Sequence, residues 1–167
     1  AANTAKEFLS YFKEIPTLFT HAVQASHDEL SVIAQDGHSI IHCPISNRLL
    51  GNGVLDLKPL EDNNIPLLCG TDGLSSNYTL DLFEEMKIAL FMHPHDDLLS
   101  LSQKLWKGVT SLAAAALQLN CGKIMSGYDA DILVIRVNYP INEQLPLHLI
   151  NQKGVIESIY IEGERVK

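Results

Sequence analysis

Ile65-Pro66-Leu67-Leu68-Cys69-Gly70-Thr71-Asp72-Gly73 decides how this chain is read: a short apolar run ends in a tight polar turn, and helical sequence begins at about Thr79. An apolar strand leading through a turn into a helix is one βα unit. The unit recurs twice toward the N-terminus. Ser39-Ile40-Ile41-His42-Cys43 leads into a loop and a short helix near Asp56 to Asn63. Thr17-Leu18-Phe19-Thr20-His21-Ala22 leads to Ser26-His27-Asp28-Glu29, which has the S-x-x-E form of a helix capping box. Three consecutive βα units predict a parallel sheet. The strands are apolar on both faces, as expected where helices cover one side and a packed interior covers the other.

Outward from these units, Phe8, Leu9, Phe12 and Ile15 stand at helical spacing, predicting a helix from Asn3 to Ile15 that Pro16 stops. Asp96 to Leu119 reads as a long apolar helical region, with Trp106, Leu101, Leu105, Val109 and Leu112 on one packed face. The texture changes at Gly122. Asp131 to Val137 and Val155 to Gly163 read as strands, the second with clear alternation. The expectation is an α/β unit over residues 1–121 and a small β unit over 122–167.

With 167 residues, 46% hydrophobic and 19% charged, the composition is that of a globular chain. A net charge of −8 and a pI near 5.2 argue against a nucleic-acid or anionic-membrane partner, because phosphate binding needs clustered Lys and Arg. The longest apolar run, Leu112 to Leu117, falls far short of the roughly 20 residues that span a bilayer. Lys6, Glu7, Lys13 and Glu14 do not resemble a signal peptide. Cys43, Cys69 and Cys121 form no C-x-x-C pair and leave an odd count, which fits reduced thiols. A cytoplasmic protein is the expectation.

In parallel α/β folds, functional groups gather at the carboxyl ends of the strands, and His21, His42 and Asp72 stand there. A carboxylate with two imidazoles suits a divalent transition metal or acid/base catalysis, and spacing alone does not choose between them. Blander uses compete. Thr71-Asp72-Gly73 has the form of a turn whose Asp caps the next helix. A lone histidine beside an apolar strand commonly bonds a backbone carbonyl, and Pro44 and Asn47 could serve only to shape a turn. His27, His38 and His148 are read as surface or structural. His93 and His95 are placed between two helices, and a metal site built on them is the weaker alternative.

Several stretches together carry a resemblance: His42-Cys43-Pro44-Ile45-Ser46-Asn47, Leu50-Gly51-Asn52-Gly53, Gly70-Thr71-Asp72-Gly73-Leu74-Ser75-Ser76-Asn77, Asp81-Leu82-Phe83-Glu84-Glu85-Met86, and Gly122-Lys123-Ile124 through Gly127-Tyr128-Asp129-Ala130-Asp131 to Ile135. They resemble the aminohydrolase and chlorohydrolase branch of the amidohydrolase superfamily, whose members are (β/α)8 TIM barrels flanked by a β-sandwich. The resemblance implies that this chain holds barrel strands six to eight and the last sandwich strands. It implies that Asp72 is a metal ligand that also accepts a proton from the metal-bound water, and that His21 shuttles protons to the substrate. His42 and Asn47 would line the substrate pocket. The implied cofactor is one divalent metal, zinc foremost and iron second, which acidifies water for attack on an electron-poor ring carbon. The implied activity is deamination of an aminopurine nucleoside-like or other N-heterocyclic small molecule, with adenosylhomocysteine-like nucleosides and aminodeoxyfutalosine as candidates; a chlorohydrolase is the alternative.

One departure bears on all of this. The family's H-x-H pair on strand one and its histidine on strand five, which supply most of the metal shell, have no counterpart here, and His93-Pro94-His95 lies after the strand-eight helix. With roughly three of eight barrel units, the segment should neither close a barrel nor hold a metal tightly. The expected partner is therefore the N-terminal half of the barrel. A homo-oligomer, a complementing separate chain and a non-catalytic module remain open, and exposed strand edges would favour self-association.

Overall fold

The computed structural model describes residues 4–167. Two sheets organise the chain. The first is parallel, in the order β1 (Leu18–Thr20), β2 (Ser39–His42), β3 (Leu67–Cys69). Its register sets Thr20 opposite Ile41 and His42 opposite Cys69, so all three strands end along one edge.

Helices follow each strand. α1 (Ala5–Ser10) precedes β1 and α2 (His27–Gln35) follows it, started by the Ser26–Glu29 capping box. After β2 come α3 (Pro44–Leu50) and α4 (Lys58–Asp62), and after β3 come α5 (Leu82–Met92), α6 (Leu98–Gly108) and α7 (Ser111–Ala116). The second sheet is antiparallel, in the order β4 (Ile132–Arg136), β5 (Val155–Ile161), β6 (Glu164–Arg165), with α8 (Leu145–Gln152) between its first two strands.

The differences from expectation have local causes. The first helix ends at Ser10 rather than Ile15, and the chain reaches Pro16 through turns that include Glu14 at φ 64°; its expected start at Asn3 lies outside the described residues. The helix expected from Thr79 begins at Leu82, where the Asp81 side chain accepts the Phe83 amide. The 96–119 helical region breaks at Val109 and Thr110 into α6 and α7. His38 is buried, its Nδ1 bonded to the Thr17 amide at 3.2 Å, so its role is structural.

The largest correction lies after β2, where the expected loop is the helix α3. Pro44 occupies its first turn, where a missing N–H costs nothing and a fixed φ favours helix. Gly51, left-handed at φ 71°, ends it, and the Asn52 amide turns back to the Asn47 carbonyl at 3.0 Å.

One core serves the first sheet and its helices: Leu30, Ile33, Ile40, Leu60, Met86 and Leu105 meet in it. Ile150 of α8 joins them, and the Trp106 indole donates to the Pro146 carbonyl at 2.9 Å, so part of the 122–167 stretch packs back on α5 and α6. α6 lies very close to β3. A Cβ at Gly108 would come within 2.6 Å of the Leu67 carbonyl oxygen. The expected sandwich strands form a single three-stranded sheet among the described residues, and among those residues no helix is long and apolar enough to cross a membrane.

Candidate active site

At the shared carboxyl edge the backbone leaves the strands through unusual conformations. His21 (φ 72°), Ala22 (φ 52°) and Asp72 (φ 58°) are all left-handed. Such residues other than glycine are held only where their surroundings enforce them, at roughly 1–3 kcal/mol each. The His21 amide donates to the Ile41 carbonyl at 2.9 Å, extending the ladder by one bond before the chain turns. The turn stands the imidazole at the edge, where its Nε2 lies 3.6 Å from Asp72 Oδ2. Both side chains are about one-third exposed, 31% and 34%.

α3 lies beneath this pair and orients both members. Asn47 is fully buried, and its Oδ1 sits 2.8 Å from His21 Nδ1. With the amide oriented this way the ring proton is on Nδ1, because a carbonyl oxygen only accepts, and Nε2 faces Asp72 as a basic nitrogen. One residue earlier on α3, Ser46 donates its hydroxyl to Asp72 Oδ2 at 2.8 Å. The Ser76 hydroxyl gives that oxygen a second bond of 2.8 Å, and the Gly73 amide donates to Oδ1 at 2.8 Å. The two hydroxyls and the amide hold the Asp72 carboxyl below the usual carboxylate range. Asp72 is therefore an anion at neutral pH and a weak base. The 3.6 Å gap to His21 exceeds a direct hydrogen bond.

Beneath α3 is a buried carboxylate. Glu85 of α5 is inaccessible to solvent, accepts the Ile45 amide on Oε2 at 3.1 Å, and accepts the Asn77 side-chain amide on Oε1. Asn77 also donates to the Thr71 carbonyl at 2.7 Å, and its Oδ1 accepts the Thr79 amide at 3.1 Å. Burial pushes the Glu85 carboxyl upward, opposed by its two hydrogen bonds.

His42 is also fully buried, its Nε2 3.2 Å from His93 Nε2 at the end of α5. Burial first, then the neighbouring His93 and His21, lowers its pKa to about 3, so His42 is neutral. It lies behind the exposed pair, with no accessible surface toward the edge.

Of the predicted residues, the structure brings His21, Asn47 and Asp72 into one cluster and sets His42 behind it. The roles of Ser46, Ser76, Asn77 and Glu85 were not assigned from the sequence. Glu85 carried a signal, being an acidic residue on the apolar stripe it shares with Met86, Ala89 and Leu90. Among the described residues no group of three or more His, Cys, Asp or Glu side chains could hold a metal. A cleft of about 640 Å³, lined by Phe8, Leu9, Phe19, Val23 and Ile33, reaches the cluster through His21 and does not include Asp72.

A carboxylate and an imidazole thus stand side by side at the carboxyl edge of a parallel sheet in an α/β protein. The chain belongs to the amidohydrolase family, whose model matches residues 3–166. It is similar to the aminodeoxyfutalosine deaminase of a Nitratiruptor species, 44% identical over 164 residues that make up 97% of this chain and 40% of that protein. It is also similar to the 5′-deoxyadenosine deaminase of Methanococcus aeolicus, 35% identical over 93% of this chain and 38% of that one. The crystal structure of Helicobacter pylori aminofutalosine deaminase in complex with methylthio-coformycin superposes with a TM-score of 0.92 at 34% identity, covering 98% of this chain and 40% of that one. The chain thus spans about 40% of the length of the relatives it matches.

Proposed function

We propose that the whole protein is a hydrolytic deaminase of an adenosine-like nucleoside, to which these residues contribute one side of the active site. The observation that carries this reading is the His21–Asp72 pair at 3.6 Å, each member oriented by a neighbouring residue of one helix, Asn47 and Ser46. Similarity to deaminases of aminodeoxyfutalosine and 5′-deoxyadenosine supports the substrate class. In this reading, residues 1–121 supply the last three βα units of a (β/α)8 barrel and residues 122–167 supply strands of an adjoining β-sandwich.

In the reaction, water adds to the ring carbon that bears the exocyclic amine, and ammonia leaves. Asp72 would supply one carboxylate ligand of a metal shell, and the remaining ligands would come from outside these residues. A divalent metal, zinc or iron, would supply when bound the Lewis acidity that makes water a nucleophile near neutral pH. Asp72, anionic and fixed by three donors, holds the ligand position. His21, with Nδ1–H committed to Asn47, takes and returns a proton at Nε2 through an oxygen bridging toward Asp72. Asn47 and the buried His42 shape the floor rather than touch the reacting atoms.

Ammonia release by the purified whole protein, measured with 5′-deoxyadenosine and aminodeoxyfutalosine alongside metal content, tests the proposal. Turnover of an aminopurine nucleoside that stops on chelation and returns with zinc or iron is the expected result. No ammonia from any such nucleoside in metal-loaded protein would overturn it.

A further inference from the structure

The geometry points to Glu85 as a positioning residue that sets the His21–Asp72 distance, an inference that rests on the deaminase reading above. Its two oxygens reach two different pieces of the site. Oε2 receives the amide of Ile45, which precedes Ser46 and Asn47, the residues that orient Asp72 and His21. Oε1 receives Asn77, whose side-chain amide also bonds the carbonyl of Thr71, the residue before Asp72. One buried carboxylate therefore joins the helix that orients both groups to the turn that carries one of them. Because Pro44 has no N–H, Ile45 offers the first free amide of α3, and Glu85 receives it. A side chain needed only to fill this space would be apolar, since an ionisable group here is shielded from water on every side.

Glu85→Gln separates positioning from packing. Gln keeps the volume and one acceptor oxygen for Ile45, but it sets an NH2 group against the Asn77 amide. Asn77 cannot answer by rotating, because its Oδ1 and Nδ2 already serve Thr79 and Thr71. In the whole protein, E85Q is expected to lower kcat about 10- to 100-fold with KM within about threefold, the range over which a misplaced group lowers rate without altering binding. Hydrogen exchange of the Gly73 amide, which bonds Asp72, should quicken while that of Ile45 holds. Asn77→Ala cuts the same link from its other end and should give the same kcat loss, and the double variant should be no worse than either single one. Leu60→Ala, a core change away from the site, serves as the stability control and should leave kcat unchanged.

An E85Q kcat within twofold of the parent, a loss matched by Leu60→Ala, or additive single losses would overturn the inference. A parent protein that deaminates nothing would instead defeat the reading beneath it. The Gly73 and Ile45 exchange rates in E85Q would still decide whether Glu85 holds the two pieces together.

Discussion

The two sheets of this molecule are both built from apolar-rich strands and differ in what surrounds them. Strands β1 to β3 are short and covered by helices, and the polar groups just beyond their ends are each held by neighbours: Asp72 has three donors and His21 has Asn47, while Glu85 of α5 beneath them has two donors. Strands β4 and β5 are as apolar, yet Leu133, Val134, Val155 and Ile161 are 39% to 53% exposed. Order at the candidate site comes from contacts within these residues, and little of the chain packs on the second sheet. Substitutions in the first region should therefore be felt strongly and those on the second sheet weakly.

The largest effect is expected at Asp72. Asp72→Asn keeps the shape and an acceptor for Ser46 or Ser76 while removing the charge, so kcat of the whole protein should fall about 10³-fold with little change in melting temperature. A variant within tenfold of the parent would show that the carboxylate only caps the turn, the blander use of an Asp before Gly.

Leu60, 1% exposed in the common core, comes next. Leu60→Ala should cost about 2–5 kcal/mol in urea unfolding, through lost burial and the cavity left behind. A cost below about 1 kcal/mol would mean that the first region is packed no better than the second.

How much of this contrast was legible in the sequence depends on whether a signal was local. The three strands and the edge they share followed from apolar runs bounded by turns, and the capping box located α2. The pairing of His21 with Asp72 was reachable through the strand-end rule and the family resemblance, not through local spacing, since the two lie far apart in sequence and meet because the parallel register aligns their strands. α3 was missed because Pro44 read as part of a turn, although it sits in the first turn of the helix, where proline is favoured; Pro146 holds the same place in α8, which had no sequence reading of its own. Gly51, seven residues after Pro44, was the complementary stop signal. The role of Glu85 has no local signature, because its partners, the Ile45 amide and Asn77, are brought to it by tertiary packing.

A smaller effect concerns pH. Below pH 6.5 an unfolded His42 takes up a proton that the folded one refuses until about pH 3, so the unfolded state binds more protons in that window. Stability from this group is fully present above pH 6.5 and declines as the pH falls toward 3, by about 1.4 kcal/mol per pH unit. His93 is shifted in the same direction by burial, and Glu85, shifted upward, acts with the opposite sign. His42→Asn should flatten the slope between pH 6.5 and about 5 without abolishing it. Equal slopes in parent and variant would place the titration elsewhere.

The smallest effect is expected at Leu133 on β4, where the side chain is 42% exposed. With more than half of the residue still covered, replacement by Ser removes partial burial, and the cost in these 167 residues should be about 1 kcal/mol. The same substitution in the whole protein asks a sharper question. An equally small cost there means that the outer face of β4 is solvent-exposed in the working molecule, and the contrast between the sheets belongs to the fold itself. A cost of about 2 kcal/mol or more means that another segment buries the rest of Leu133, because the loss on substitution grows with the apolar area kept from water. The second sheet would then owe its packing to residues outside this chain, as the candidate metal shell would owe its other ligands.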